Sequence, residues 1–147
     1  MPVSRTGLCL FCSLASHHTE AAIVYEDPTV LAVMDLYPAT KGHAMVFPKR
    51  HVEDIYSMPE DLASRIMAIA IDVAKSIRLA MSPDGLNLVQ ANGSAAGQTN
   101  RHFHLHVIPR YHGDRVNLRF GRTALPESLE NLRKTAALVR AEMERKV

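Results

Sequence analysis

The sequence contains few of the residues that mark a specialised class of protein. It has two cysteines and no tryptophan in 147 residues, aromatic residues make up 5%, and the formal net charge is only +2. Two cysteines cannot build a disulfide framework, so a reducing, cytoplasmic setting is expected. The balanced charge argues against a protein that holds nucleic acid by bulk electrostatic attraction. No apolar run approaches the roughly 18 residues of a membrane-spanning helix, so no membrane partner is expected.

Two stretches have the periodicity of amphipathic helices. Ser57 and Glu60 have the spacing of a capping box, and apolar residues then recur every three or four positions until a turn at Ser82-Pro83-Asp84-Gly85. A second such stretch covers residues 126–144. Neither a linker nor an internal repeat interrupts the chain, so residues 1–147 are expected to form a single domain.

Five short segments have the composition of β-strands and are bounded by turn residues. They are Ile23–Tyr25, Val30–Asp35, Ala44–Pro48, Leu86–Gln90 and His102–Pro109. The first three are joined by short turns, which favours an antiparallel meander, and the order of elements is not a regular βαβ alternation. The sequence therefore predicts an α+β fold, with two helices packed on one face of a five-stranded antiparallel sheet.

Histidine is the residue type that is unusually clustered. The chain has eight histidines, and three of them alternate along one strand as His102, His104 and His106. Alternate side chains of a strand project from the same face, so these three imidazoles should lie together. Random placement would produce about 0.02 such patterns in a chain of this composition. A chemical role is therefore favoured over a solvated edge strand.

Two kinds of chemistry are open to three adjacent imidazoles. They could hold a zinc ion together, or one neutral imidazole could attack phosphorus as a nucleophile. Residues 91–99, directly upstream, are rich in glycine and small side chains, which lets backbone N–H groups approach an anion. Gln98 and Thr99 could add side-chain donors there. A phosphate cradle next to the histidines favours the nucleophile.

The histidine segment resembles the signature of the histidine triad family, in which three histidines alternate with apolar residues. The resemblance covers a core of about residues 8–110, whereas the helix at about 126–144 is not diagnostic. The matching segments are Cys9-Leu10-Phe11-Cys12, Ile23-Val24-Tyr25-Glu26-Asp27, Asp35 with Pro38, Gly42-His43, Pro48-Lys49-Arg50-His51, Gly97-Gln98-Thr99 and His102-Phe103-His104-Leu105-His106-Val107-Ile108.

The resemblance implies a hydrolase or transferase acting at the α-phosphate of a nucleoside phosphoramidate or dinucleoside polyphosphate. His104 matches the nucleophile, which would form a nucleotidyl-histidine intermediate and release a nucleoside monophosphate. His106 matches a phosphate-binding residue that also serves the leaving group. The resemblance further implies a purine nucleotide as ligand and a homodimer.

The family pattern also assigns the residues around the nucleotide. Those matched to nucleotide and phosphate binding are Asp35 and Leu36 at the ribose, with Asn92, Gly97, Gln98, Thr99 and His106 at the phosphate. The sequence departs from the pattern at Ala91, where the family often has an amide side chain. Asn92 is expected to replace that contact only in part. His43 could either support the site or pack in the core.

Cys9 and Cys12 have the spacing of half a tetrahedral zinc site. The resemblance implies His51 and His102 as the other two ligands, which would leave His104 and His106 available for catalysis without any catalytic metal. Two buried free thiols are the alternative. Two rival functions therefore stay open: a zinc-stabilised nucleotide-binding regulatory module with little turnover, and a metallohydrolase that uses all three histidines on zinc.

Overall fold

The computed structural model describes residues 9–117 and 125–145; the remaining parts of the predicted domain, residues 1–8, 118–124, 146 and 147, lie outside the described residues. The helices are α1 (Leu10–Ala15), α2 (Glu60–Met81) and α3 (Leu129–Glu144). The strands are β1 (Ile23–Glu26), β2 (Val30–Met34), β3 (Ala44–Pro48), β4 (Gly85–Val89) and β5 (Leu105–Arg110). Among these residues, no helix is both long and apolar enough to cross a membrane.

The five strands form one antiparallel sheet in the order β1-β2-β3-β5-β4. The first three strands make the expected meander, and α2 then carries the chain across to β4 at the edge. The α+β fold class is confirmed. The structure adds the short helix α1, which the sequence did not predict as a helix.

The sheet has a hydrophobic core on each face. Strand β2 is buried along its whole length, and its side chains alternate between the two cores. Val30 and Ala32 belong to the large core beneath α2 and α3, whereas Leu31 and Val33 belong to a smaller core that includes Phe11 of α1. Helix α1 therefore covers the sheet face opposite to the two long helices.

Other predicted strand boundaries differ from the structure by at most one residue, but three predicted starts, those of α2, α3 and β5, were wrong by two or three residues. Ser57 does not cap α2: it ends a single 3-10 turn, its hydroxyl donates to Asp54, and α2 begins at Glu60 without a side-chain cap. Helix α3 begins at Leu129 rather than near residue 126, because the Ser128 side chain accepts from the backbone N–H of Asn131 and caps it there.

Strand β5 begins at Leu105, three residues after the predicted start at His102. The reason is that the preceding backbone makes its hydrogen bonds elsewhere. The N–H of Phe103 donates to the carbonyl of Val52 at 2.7 Å, and the carbonyl of His102 accepts from the His104 ring. This short irregular segment brings the first histidine toward α1.

Candidate active site and metal site

The three histidines lie on the face of the sheet that α1 covers. Leu105 and Val107 point into the large core on the opposite face, so His104 and His106 project toward α1. The rings of His104 and His106 are 5.0 Å apart between centroids, edge to face. His102, which precedes β5 in the chain, is completely buried. The alternation of the segment therefore predicted the correct face.

The ring of His104 is held in one tautomer by the backbone. Its Nδ1–H donates to the carbonyl of His102 at 2.7 Å, which leaves the lone pair on Nε2. Burial lowers the pKa of His104, and the backbone hydrogen bond only partly opposes this shift. The imidazole is therefore neutral near pH 7, which is the form that can act as a nucleophile.

A second chain of hydrogen bonds sets the tautomer of His106. The backbone N–H of Ala39 donates to Nδ1 of His43 at 2.9 Å, so the proton of that ring is on Nε2. This Nε2–H donates to Nδ1 of His106 at 2.8 Å, which leaves the His106 proton on its own Nε2. Burial lowers the pKa of His43 to about 4 and that of His106 to about 3. His43 thus orients His106, which favours the supporting role over the packing role that the sequence had left open.

Asp35 lies beside these two histidines. Its Oδ2 is 3.4 Å from His43 Nε2 and 3.7 Å from His106 Nδ1, and its Oδ1 accepts from the N–H of Tyr37. Burial raises the pKa of the Asp35 carboxyl to about 6. The sequence placed Asp35 and Leu36 at the ribose. In the structure Leu36 is exposed, while the Asp35 carboxyl faces the histidines and its side chain is 5% exposed, so its ribose contact stays a prediction.

Asp35, His43 and His106 are also close enough to hold a metal ion, but their hydrogen bonds argue against it. The Ala39 N–H occupies the Nδ1 lone pair of His43, so Nε2 carries the proton and has no lone pair to offer. Ligation through Nε2 would require an imidazolate or the loss of that bond. This group is better described as a polar network than as a metal site.

The glycine-rich loop is held by its own polar groups. Gly93 and Gly97 both have positive φ, at 86° and 94°, which allows the chain to turn around a short 3-10 helix. The Gln98 side chain accepts from the N–H of Gly93 and donates to the carbonyl of Glu53. The side-chain oxygen of Asn92 accepts from the N–H of Ile55.

Several loop residues that were expected to bind phosphate also have hydrogen-bond partners within the protein. Asn92 and Gln98 tie the loop to the segment before α2, and the N–H groups of Gly97 and Gln98 are bonded inside the loop. Thr99 is exposed, and a Cβ at Gly97 would meet no atom within 4 Å, so open space lies beside both. Direct phosphate contacts by Asn92, Gly97, Gln98 and Thr99 stay predictions.

Cys9, Cys12, His51 and His102 come together from three separate parts of the chain. His102 Nε2–H donates to the carbonyl of Pro48 at 2.7 Å, so the lone pair is on Nδ1. That nitrogen is 3.3 Å from Sγ of Cys9 and 3.6 Å from Sγ of Cys12, and His51 Nδ1 is 3.4 Å from Sγ of Cys12.

These distances fit a tetrahedral zinc site. With Zn–S of about 2.3 Å and Zn–N of about 2.0–2.1 Å, a tetrahedral angle separates sulfur from nitrogen by about 3.5 Å. All four ligand atoms lie within 4.8 Å of one another, and both cysteines are free thiols. The residues therefore fit a structural zinc, which would fasten α1 and the segment before β5 to the end of β3.

The antiparallel sheet thus carries a pair of neutral histidines beside a cysteine–histidine cluster whose spacing allows a structural zinc. The family model of the HIT domain matches residues 16–113 of this chain. The chain is 42% identical over 103 residues to the protein hit of Bacillus subtilis (strain 168), covering 70% of this chain and 71% of that protein.

Two solved structures share the fold over most of the chain. A hypothetical histidine triad nucleotide-binding protein from Sulfolobus tokodaii strain 7 is 32% identical with a TM-score of 0.83, covering 93% of each chain. A zinc-bound histidine triad family protein from Mycobacterium smegmatis is 33% identical with a TM-score of 0.80, covering 93% of this chain and 94% of that one. This chain belongs to the histidine triad (HIT) family.

The metal site leads to a test by metal analysis. Protein purified without chelator should contain about one zinc per chain, because four ligands with closed tetrahedral spacing bind zinc tightly. Cys9→Ser and Cys12→Ser should each reduce the zinc content severalfold and lower the melting temperature. His112→Ala, at an exposed histidine outside the cluster, is the control and should retain the metal. Zinc content that is unchanged in both cysteine variants would contradict the site.

The buried histidines should make stability fall on acidification. Their pKa values are lowered in the folded state, so below about pH 6.5 the unfolded chain binds more protons than the folded chain does. Proton binding then lowers the free energy of the unfolded state relative to the folded state. Each histidine should cost about 2 kcal/mol between pH 7 and pH 5. Asp35 acts in the opposite direction, because its raised pKa makes the folded state bind a proton below about pH 6.

Urea unfolding at pH 7 and pH 5 measures this balance. His43→Gln should make the loss of stability shallower, whereas Asp35→Asn should make it steeper. An unfolding free energy that does not depend on pH over this range would show that the histidines are not held neutral by burial.

Proposed function

We propose that this HIT-family protein is a hydrolase that cleaves nucleoside phosphoramidates or dinucleoside polyphosphates at the α-phosphate. The reaction passes through a nucleotidyl group on His104 and releases a nucleoside monophosphate. The observation that carries the proposal is the 2.7 Å hydrogen bond from His104 Nδ1 to the His102 carbonyl. It leaves the lone pair of a neutral imidazole on Nε2, the ring nitrogen that the backbone does not occupy.

The first step forms one bond and breaks another at phosphorus. His104 Nε2 attacks in line, the new N–P bond forms, and the leaving group departs with the electron pair of its own bond to phosphorus. The attacking ring then carries a positive charge, which the His102 carbonyl stabilises through the Nδ1–H. His106, with its proton on Nε2, supplies a donor for the phosphoryl oxygens or the leaving atom.

Water completes the reaction. Its oxygen attacks phosphorus, the N–P bond breaks with its electron pair returning to His104 Nε2, and one water proton is released. The product is the nucleoside monophosphate, with a purine as the proposed base. Asp35 and Leu36 are proposed to meet the ribose, and residues 92–99 to line the phosphate. A resident zinc at Cys9, Cys12, His51 and His102 would stabilise the fold; the chemistry requires none.

Replacing His104 should abolish turnover while leaving the protein folded. His104→Ala should slow release of the mononucleotide from a fluorogenic adenosine phosphoramidate by about 10³-fold or more, as loss of a nucleophile does in other covalent catalysts. Mass spectrometry of quenched wild-type enzyme should show the nucleotidyl adduct on His104. His112→Ala should have wild-type activity. Near-normal turnover by the His104 variant would refute the assignment.

One alternative function is favoured by a specific observation. The N–H groups of Gly97 and Gln98 are satisfied inside the loop, so fewer donors are aimed at a reacting phosphate than a cradle of open amides would supply. A zinc-stabilised regulatory module that binds a nucleotide with little turnover fits that arrangement. Binding of AMP without hydrolysis of any phosphoramidate or dinucleoside polyphosphate would select it. The third rival, zinc on all three histidines, is disfavoured by the other two rings. The Nδ1 lone pair of His102 faces the cysteine sulfurs, and His106 accepts from His43 at Nδ1 while its proton is on Nε2.

We further propose that the chain works as one domain in the cytoplasm and as a homodimer that pairs along β4. Strand β4 lies at the end of the sheet, so one of its edges is not paired within the described part of the chain. Leu88 of this strand is opposite Val107 in register, which directs it to the face that carries α2, and yet it is 44% exposed.

Helix α2 continues this apolar surface. Met67 and Ile71 are exposed on one flank of the helix, while Arg65 on the opposite flank reaches Asp27 beside β1. Helical geometry therefore turns Met67 and Ile71 toward the β4 edge. An unpaired edge flanked by exposed apolar side chains is suited to burial against a second copy.

Introducing a charge on this surface should separate the dimer. Leu88→Glu is expected to shift the molecular mass in solution, measured by light scattering, from two chains to one. Leu79→Glu changes an equally apolar and more exposed residue on the other flank of α2, and this variant should remain dimeric. A wild-type protein that is monomeric at about 100 µM, far above the dissociation constants of stable dimers, would rule out the proposal.

A further inference from the structure

Phe11 lies between the two cysteines of the metal cluster and contacts the nucleophile directly. Its ring stacks on that of His104, with the centroids 4.5 Å apart and the planes at 16°. It also stacks on His102, at 5.4 Å and 27°. The phenylalanine is fully buried, so in this structure it does not line an open pocket. One side chain therefore touches both a proposed metal ligand and the proposed nucleophile.

The stack restrains a motion that the hydrogen bond of His104 does not. The bond from Nδ1 to the His102 carbonyl restrains the imidazole, but a single hydrogen bond tolerates bending, so small rotations of the ring about Cβ–Cγ remain. A flat aromatic ring packed against its face limits this rotation, and the edge of His106 lies against another side. The direction of the Nε2 lone pair, which must be in line with the bond that breaks, depends on both restraints.

The position of Phe11 depends in turn on the two cysteines. Helix α1 has only six residues, too few for a helix to persist by itself. Cys9 immediately precedes α1 and Cys12 lies within its first turn, so ligation of both sulfurs would fasten the backbone on either side of Phe11. The His102 ring, which Phe11 also contacts, belongs to the same cluster.

We propose that Phe11 is a positioning residue that couples occupancy of the Cys9–Cys12–His51–His102 cluster to the orientation of the His104 ring. The inference rests on the proposed function of His104 as a nucleophile. It predicts that metal removal slows the chemical step through Phe11, although no metal takes part in that step.

Phe47, in the same hydrophobic core, provides a control that distinguishes the proposed role of Phe11 from a purely structural one. Phe47 is also fully buried in the cluster of α1 and packs edge to face on Phe11 at 4.8 Å. It touches the His102 ring at 5.9 Å, but within the described residues it makes no ring contact with His104. Phe11→Leu and Phe47→Leu therefore remove similar apolar contacts, and only the first removes the stack on the nucleophile.

The experiment compares wild type, Phe11→Leu and Phe47→Leu, each with zinc and after chelation. The rate of nucleotidyl-His104 formation is measured in single turnovers with saturating adenosine phosphoramidate, and AMP affinity is measured in parallel. Phe11→Leu should slow adduct formation by about 2- to 10-fold, the size of an aromatic pair contribution, with AMP affinity unchanged. Zinc removal should slow wild type and Phe47→Leu to a similar extent, but should add little in Phe11→Leu.

A readout independent of activity is the Nδ1 proton of His104. In ¹⁵N-edited NMR spectra this hydrogen-bonded proton should give a sharp resonance in zinc-loaded wild type and Phe47→Leu. It should broaden in Phe11→Leu and in zinc-free wild type. Phe11→Met, which keeps most of the buried volume without a flat ring, replaces the leucine variant if that variant does not fold.

Two results would overturn the proposal. One is that zinc removal and Phe11→Leu slow the reaction by factors that simply multiply. The other is that Phe47→Leu slows adduct formation as much as Phe11→Leu does. If zinc-loaded wild type forms no adduct at all, the proposed function fails instead, and the NMR comparison alone then supports or overturns the coupling.

Discussion

The site depends on three contacts of His102, made by its two ring nitrogens and its backbone carbonyl. One ring nitrogen donates to the carbonyl of Pro48 at the end of β3, and the other faces the sulfurs of Cys9 and Cys12. Its backbone carbonyl accepts the Nδ1 proton of His104. A single buried residue thus joins the sheet, the first helix and the proposed nucleophile. Any displacement of His102 would change all three contacts together.

Backbone groups, rather than charged side chains, determine the protonation pattern of these histidines. Two carbonyls, of Pro48 and His102, and the N–H of Ala39 each select one nitrogen on a neighbouring ring. Burial then keeps the rings neutral by lowering their pKa values. The proposed nucleophile is therefore held neutral by burial and oriented by the backbone, and Asp35, whose own pKa is raised, interacts with His43 and His106 instead.

The sequence predicted those features that depend on periodicity. Alternation along the histidine segment placed His104 and His106 on the correct face. The spacing of Cys9 and Cys12 indicated half of a zinc site, the family resemblance implied His51 and His102 as the other half, and the structure brings all four close enough to hold a metal ion. Turn chemistry also placed the end of α2, where Ser82 adopts a left-handed conformation with φ of 48°.

Features that depend on a specific tertiary hydrogen bond could not be predicted. The capping box at Ser57 failed because Asp54 takes up the serine hydroxyl in a separate turn. The side-chain amide of Gln98 donates to the carbonyl of Glu53, 45 residues earlier in the chain, and no local pattern indicates that contact. The orienting role of His43 requires the Ala39 N–H, which no periodic pattern reveals.

The hydrophobic cores on the two faces of the sheet differ in size, so the helices on the two faces are held by different kinds of contact. Helices α2 and α3 have 22 and 16 residues and pack on an extensive apolar surface, so their positions do not depend on any single contact. Helix α1 has six residues and contributes only Phe11 and Leu14 to the fully buried part of its core. A helix of that length is ordered by its tertiary contacts alone. The side of the sheet that carries α2 and α3 therefore has the larger hydrophobic core, while the side that faces the proposed substrate is held by a small set of polar and aromatic groups and by the proposed metal ligands.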